Sequence, residues 1–297
     1  MPEILQERDW TLLLRRIKDG KCTPFLGAGV CFGILPLGSD IARQWAEEYQ
    51  YPLEDSGDLA RVAQYLAVQY DPMFPKEEIL KYFEDVTPPD FSEPDEPHGV
   101  LASLPLPVYI TTNYDEFMVK ALAGQHKDPK RELCRWNELV KDHPSAFDSG
   151  DAYDPTPANP VVYHLHGHNE VPESMVLTDD DYLDFLVSIS SRESLLPHQI
   201  QRALTGSSLL FIGYSLSDWT FRVLYRGLVS ATEKSLRRIS VTVQLPPPSD
   251  SDPESAQNIQ SYMDEYFGKT DMKVSWCTAR EFCTELRQRW DDFSSRG

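Results

Sequence analysis

Four short segments of this 297-residue chain carry residues whose types and spacing could do chemistry, and each follows a brief apolar run. The first is Gly27-Ala28-Gly29, after the run at 23–26. Such a turn lets the backbone approach a pyrophosphate at a helix N-terminus. The third glycine of the dinucleotide fingerprint is absent at its usual spacing, since Gly33 stands one residue late, so an ordinary tight turn explains the pair equally well. The second segment is Thr112-Asn113-Tyr114-Asp115, after the run at 107–111. Asn113 or Asp115 could simply cap the next helix. The same pair is suited to hold a carboxamide, a ribose hydroxyl or a water. In the third segment His164, His166 and His168 alternate, and on a continuing strand they would share one face, as zinc ligands do. Gly167 ends the strand, however, and no cysteine or carboxylate stands at a ligand spacing. A single base, His166, is the better reading, because imidazole titrates near neutrality. The fourth segment, Gly213-Tyr214-Ser215, leads to Ser217 and Asp218, which suit a helix cap and first turn. No Gly-x-Ser-x-Gly elbow or P-loop lysine supports a serine hydrolase or a P-loop NTPase.

These segments need elements to position them, and the hydrophobic pattern supplies strands alternating with helices. Strands are expected at 23–26, 107–111, 161–165, 208–212, 239–245 and 272–277, with a short one near 133–136. Helical spacing marks 4–17, 40–50 with Ser39 as cap, 58–70, 76–83, and a stretch from Asp115 to about Ala123. Further helices are expected at 179–190, 193–204, 217–230, 254–267 and 279–293. The Pro/Asp/Glu-rich stretch 87–98 reads as an exposed loop, 124–159 as largely irregular, and 246–253 as a linker without a domain boundary. The alternation predicts an α/β fold with a mostly parallel, helix-covered sheet. In such sheets ligands bind beyond the carboxyl ends of the strands, where the four segments fall.

Composition narrows the function classes. Twenty-eight basic residues against 47 acidic ones give a formal charge of −19, which repels phosphate backbones and excludes direct nucleic-acid binding without a basic patch. The densest basic stretch, Lys127 to Arg135, carries its own acids. Apolar runs are too short to span a bilayer, and the N-terminal stretch lacks the pattern of a secretory signal, so a cytoplasmic protein is expected. The five cysteines have no CxxC spacing and read as buried or idle thiols, so no metal is expected.

Taken in order, the segments resemble a sirtuin-like domain. Pro24-Phe25-Leu26-Gly27-Ala28-Gly29-Val30 is similar to the family's NAD-binding glycine motif, and Thr112-Asn113-Tyr114-Asp115 to a variant of its Gln-Asn-Ile-Asp segment. Leu165-His166-Gly167 resembles the motif with the catalytic histidine, and Phe211-Ile212-Gly213-Tyr214-Ser215 the strand and turn on the adenine-ribose side. The resemblance implies a Rossmann-like sheet with helices on both faces in one domain over 1–297. Its core would cover about 20–40, 105–125, 160–245 and 270–295, with a helical module at about 40–105 and an irregular insert at about 125–160. It also implies catalytic roles for Asn113 (water and nicotinamide ribose), Asp115 (carboxamide) and His166 (general base). Gly27, Ala28, Gly29, Thr112, Gly213, Tyr214, Ser215 and Asp218 would bind NAD. Protein deacylases of this superfamily carry a four-cysteine zinc module that this chain lacks, so water becomes the acceptor. The implied activity is the zinc-free NAD hydrolysis of bacterial anti-phage defence, in a homo-oligomer, sometimes with a HerA-type ATPase partner. A protein deacylase and a non-catalytic NAD or ADP-ribose sensor are the alternatives.

Overall fold

In a computed structural model, residues 5–148, 153–191, 195–215, 239–246, 253–268 and 272–295 are described. Seven strands form one sheet: β1 (Cys22–Leu26), β2 (Val108–Thr111), β3 (Lys130–Leu133), β4 (Val161–His164), β5 (Ser208–Ile212), β6 (Ser240–Gln244) and β7 (Met272–Trp276). Their order is β3-β4-β2-β1-β5-β6-β7, and every pairing is parallel. Strands β1, β2, β4, β5 and β6 are buried at every residue, which explains why β2, β4 and β5 read as mostly apolar runs, while β6 buries Ser240, Thr242 and Gln244 as well. Chain order turns to opposite sides of the sheet at β1, which places a topological switch point beside its carboxyl end.

Helices cover both faces. On one face, α1 (Glu7–Lys18), α5 (Pro97–Ser103), α6 (Phe117–Gly124) and the C-terminal α10 (Ala279–Ser295) pack Trp10, Leu13, Ile17, Leu101, Leu122, Phe282 and Leu286 onto the sheet. On the other, α7 (Asp179–Ser191), α8 (His198–Gly206) and α9 (Pro253–Gly268) contribute Phe185, Ile200 and Phe267. A third core belongs to α2 (Gly38–Glu48), α3 (Leu59–Gln69) and α4 (Phe74–Leu80), which bury Trp45, Val62, Leu66 and Ile79 with Met175 and Leu177 from beyond β4. No described helix is long and apolar enough to cross a membrane.

Three local expectations are corrected. Ser39 does not cap α2: Leu37 holds that position, its carbonyl already accepts from Asp40 and Ile41, and Ser39 lies inside the first turn. The stretch read as loop to 98 instead runs into α5 at Pro97, where Glu96 caps the helix by accepting the Gly99 N–H at 2.6 Å. The strand expected near 133–136 lies at Lys130–Leu133, a charged edge strand whose ladder to β4 decides what its pattern does not. The helix expected at 217–230 lies outside the described residues.

Candidate active site

Because β2, β1 and β5 are neighbours, the segments that follow them leave one edge together. Backbone bonds run past the strand ends. Thr112 N–H donates to the Leu26 carbonyl at 3.0 Å, Gly27 N–H to that of Ile212 at 2.9 Å, and Gly29 N–H to that of Gly213 at 2.9 Å. Turns this close leave no room for side chains. Gly213 has φ +83°, and a Cβ there would lie 2.6 Å from both the Gly27 oxygen and the Val30 nitrogen. The glycines thus serve the contact between the β1 and β5 turns, and the first of them leads into one short 3-10 turn, Ala28–Cys31, well before α2.

Asn113 reaches across this junction. Its backbone N–H donates to Thr111 Oγ1 at 3.0 Å, and its Nδ2 donates to the Gly27 carbonyl at 3.2 Å and to Cys31 Sγ at 3.5 Å. Tyr214 O–H donates to the Leu26 carbonyl at 2.8 Å and in turn accepts from the Thr112 hydroxyl, also at 2.8 Å. Gly27, Gly29, Thr112, Asn113, Gly213 and Tyr214 are therefore brought together. Ala28 and Ser215 are exposed, and Asp218 lies outside the described residues. Asp115 is buried; its Oδ1 accepts the Phe117 N–H at 2.9 Å at the start of α6, so Asp115 does the capping work that Asn113 does not.

His166 parts from the other two histidines. His164 Nδ1–H donates to the Asn113 carbonyl at 3.1 Å, which fixes its tautomer and makes it, of the three, the one bonded to the asparagine. His166 turns into the aromatic side of the core, with ring centroids 5.0 Å from Phe185 and 5.4 Å from Tyr182, both on α7. It is 4% exposed, its Nε2 has no hydrogen-bond partner among the described residues, and burial holds its imidazole down at about 3. Burial, with His168 nearby, holds His164 at about 3 as well. His168 stays beside His164, with ring centroids 5.3 Å apart, and lines a cleft of about 140 Å³ with Arg131, Glu132, His143 and Glu170. Arg131 pairs there with Glu116 and Glu170. Gly167, at φ +81°, makes the separation possible, since a Cβ would lie 2.3 Å from the Ser174 carbonyl.

Sequence reasoning missed a second polar layer behind Asn113. The Cys31 thiol donates to Asp115 Oδ2 at 3.4 Å and faces His98 Nε2 at 4.0 Å, while His98 Nδ1–H donates to Glu96 Oε1 at 2.7 Å. All four residues are buried. Burial and then the Asp115 charge push the Cys31 thiol well up, so it is protonated. Burial also raises the Glu96 carboxyl, but the hydrogen bonds from His98 and Gly99 outweigh it and hold Glu96 below its ordinary value. The available signal was local: Cys31 stands two residues after the glycine turn, and Glu96-Pro97 has the residue types of a helix start.

Residues 107–266 match the model of a SIR2-like domain. The chain is 25% identical over 210 residues to the NAD(+) hydrolase ThsA of Acinetobacter baumannii (strain 532279), covering 69% of this chain and 39% of that protein. It is also 25% identical over 225 residues to the NAD(+) hydrolase ThsA of Bacillus cereus (strain MSX-D12), covering 75% and 43%. The chain therefore spans about two fifths of the length of these relatives.

Proposed function

The chain belongs to the SIR2-like family, and we propose that it binds NAD at the β1–β2–β5 strand ends and hydrolyses the nicotinamide–ribose bond to nicotinamide and ADP-ribose. The observation that carries this reading is Asn113, held by the Gly27 carbonyl at the convergence of three strand ends, in a chain similar to proteins named as NAD(+) hydrolases. Nicotinamide is a cationic leaving group, and its departure leaves an oxocarbenium-like sugar. A carboxamide that orients ribose and water at that sugar lowers the barrier by fixing the reactive geometry. Asp115 would hold the nicotinamide carboxamide, and His166 would take the proton from the attacking water. Gly27, Ala28, Gly29, Thr112, Gly213, Tyr214, Ser215 and Asp218 complete the proposed NAD contacts. Burial beneath α7 keeps this imidazole neutral, the form that can accept a proton.

The proposed setting is the bacterial cytoplasm during phage infection, in a homo-oligomer, with a HerA-type ATPase as a partner by resemblance. Incubating the purified chain with NAD and following nicotinamide release tests the reading. Asn113→Ala and His166→Ala should each lower the rate by ~10²–10⁴-fold with the fold intact. If either variant, folded, cleaves NAD at the parental rate, that residue has no catalytic role. If the parent releases no nicotinamide under conditions where bound NAD is detected, the sensor reading replaces the hydrolase.

A further inference from the structure

We propose that Cys31, His98 and Asp115 form a reversible binding site for a zinc-class divalent cation directly behind the Asn113 side chain. Each offers one ligand atom, all three are buried, and these atoms lie within 4.8 Å of one another. Donors bound to zinc at ~2.0–2.3 Å in a tetrahedron lie about 3.3–3.7 Å apart. The observed Sγ to Oδ2 and Sγ to Nε2 distances, 3.4 and 4.0 Å, need only a small contraction. The surroundings fit a metal as well. Glu96 accepts the Nδ1–H of His98 at 2.7 Å, which leaves the Nε2 lone pair facing the cluster, as in carboxylate–histidine–zinc arrangements. Asn113 Nδ2–H donates to the same sulfur. Thiolate with imidazole selects zinc over magnesium or calcium, which prefer oxygen donors. Binding would release the Cys31 thiol proton to solvent as the S–metal bond forms, and the cation would neutralise charge that Asp115 and Glu96 otherwise concentrate. Three protein ligands leave a fourth position for water, so the site resembles an exchangeable centre and not a closed structural one. The ligand with most freedom to adjust is the sulfur: Cys31 ends a single 3-10 turn and precedes the exposed Phe32.

Occupation has a consequence that rests on the proposed NAD chemistry. A cation that fixes Asp115 and draws charge onto the sulfur beside Asn113 removes both groups from substrate, so zinc would inhibit nicotinamide release. The test uses cobalt(II) as the probe on the purified full chain. A thiolate-to-cobalt charge-transfer band, displaced by one equivalent of zinc, is expected. Cys31→Ser should abolish the band, because no thiolate remains, while the near-isosteric hydroxyl keeps the fold. Glu96→Gln should weaken cobalt binding by about 10–100-fold, and His168→Asn should leave it unchanged. A band that persists in Cys31→Ser, or no band at excess cobalt in the folded parent, overturns the site. The two readings fail separately: a cobalt band without NAD cleavage upholds the site and removes only the activity. In an active enzyme, inhibition by zinc that is reversed by a chelator and weakened in Glu96→Gln supports the inhibitory role, whereas NAD cleavage unaffected by saturating zinc ends it.

Discussion

The two halves of the candidate site are built from opposite materials. Around Asn113 most polar groups are paired: the side-chain Nδ2, the Thr112 and Tyr214 hydroxyls and the Gly27 and Gly29 N–H groups have partners across the β1–β2–β5 junction, and of this half the buried His164 Nε2 has none among the described residues. Around His166 the walls are aromatic, and the imidazole Nε2 has no partner among the described residues. A satisfied polar junction is rigid and costly to disturb, whereas a buried imidazole facing Phe185 and Tyr182 is kept neutral at a desolvation cost. The contrast sets a hydrogen-bonded junction at three strand ends against an apolar enclosure of one imidazole.

Acid should produce the largest effect, and it acts on His164 and His166. Burial holds His164 and His166 at about 3, below the 6.5 of an unfolded histidine, so between those values the unfolded chain binds protons that the folded chain does not. Their stabilisation is fully present above pH 6.5 and drains as the pH falls towards 3. The loss should be on the order of 1 kcal/mol per pH unit for each histidine. Urea unfolding at neutral and mildly acidic pH measures it, and His166→Gln should flatten the slope. An unchanged slope in that variant would show that His166 is not held neutral by the fold.

Next in size, Gly213→Ala should break the paired half. The substitution places a Cβ at φ +83° and 2.6 Å from two backbone atoms of the β1 turn, so the turns must separate. A loss of about 3 kcal/mol is expected, with nicotinamide release falling along with it. His166 titration should not change. A variant as stable as the parent would mean that the turns separate at little cost.

Phe185→Ala attacks the other half. Phe185 is fully buried against His166 and Trp136, so its truncation should cost about 3 kcal/mol. It should also let water reach the imidazole and raise its titration midpoint towards 6.5. NMR titration of the His166 ring reads this directly. A midpoint that stays low would show that α7 is not what keeps the imidazole neutral.

The paired half was more legible in the sequence than the closed one. Strands β1, β2, β4 and β5 are short apolar runs ending in small or polar residues, so both their existence and the edge where chemistry gathers follow from pattern. Pattern failed where burial came from afar. His166 is covered by a helix beginning 13 residues later, and nothing local to Leu165-His166-Gly167 records that packing. Cys31 meets His98 and Asp115 across 67 and 84 residues, distances only the sheet order closes. β3 was misplaced because Lys130, Arg131 and Glu132 carry no strand-like alternation.

The smallest expected effect concerns the strut between the halves. Tyr114, next to Asn113, donates its hydroxyl to the Val176 carbonyl at 2.7 Å, and Val176 N–H donates to the His166 carbonyl at 3.0 Å. The Tyr114 carbonyl accepts the Asn169 N–H at 3.0 Å, so one residue ties the β2 end to both sides of the segment that carries His166. Tyr114→Phe keeps the ring and removes only the hydroxyl, leaving the Val176 carbonyl without that donor. Loss of one such bond should lower stability by about 1 kcal/mol. If the halves are independent, nothing else should follow. If the strut couples them, hydrogen exchange at Val176 and along the first turn of α7 should rise, while the amides at Gly27 and Gly29 stay protected. Exchange that rises equally at Gly27, Gly29 and Val176 would mean that the site opens as one unit and that the division drawn between its halves is wrong.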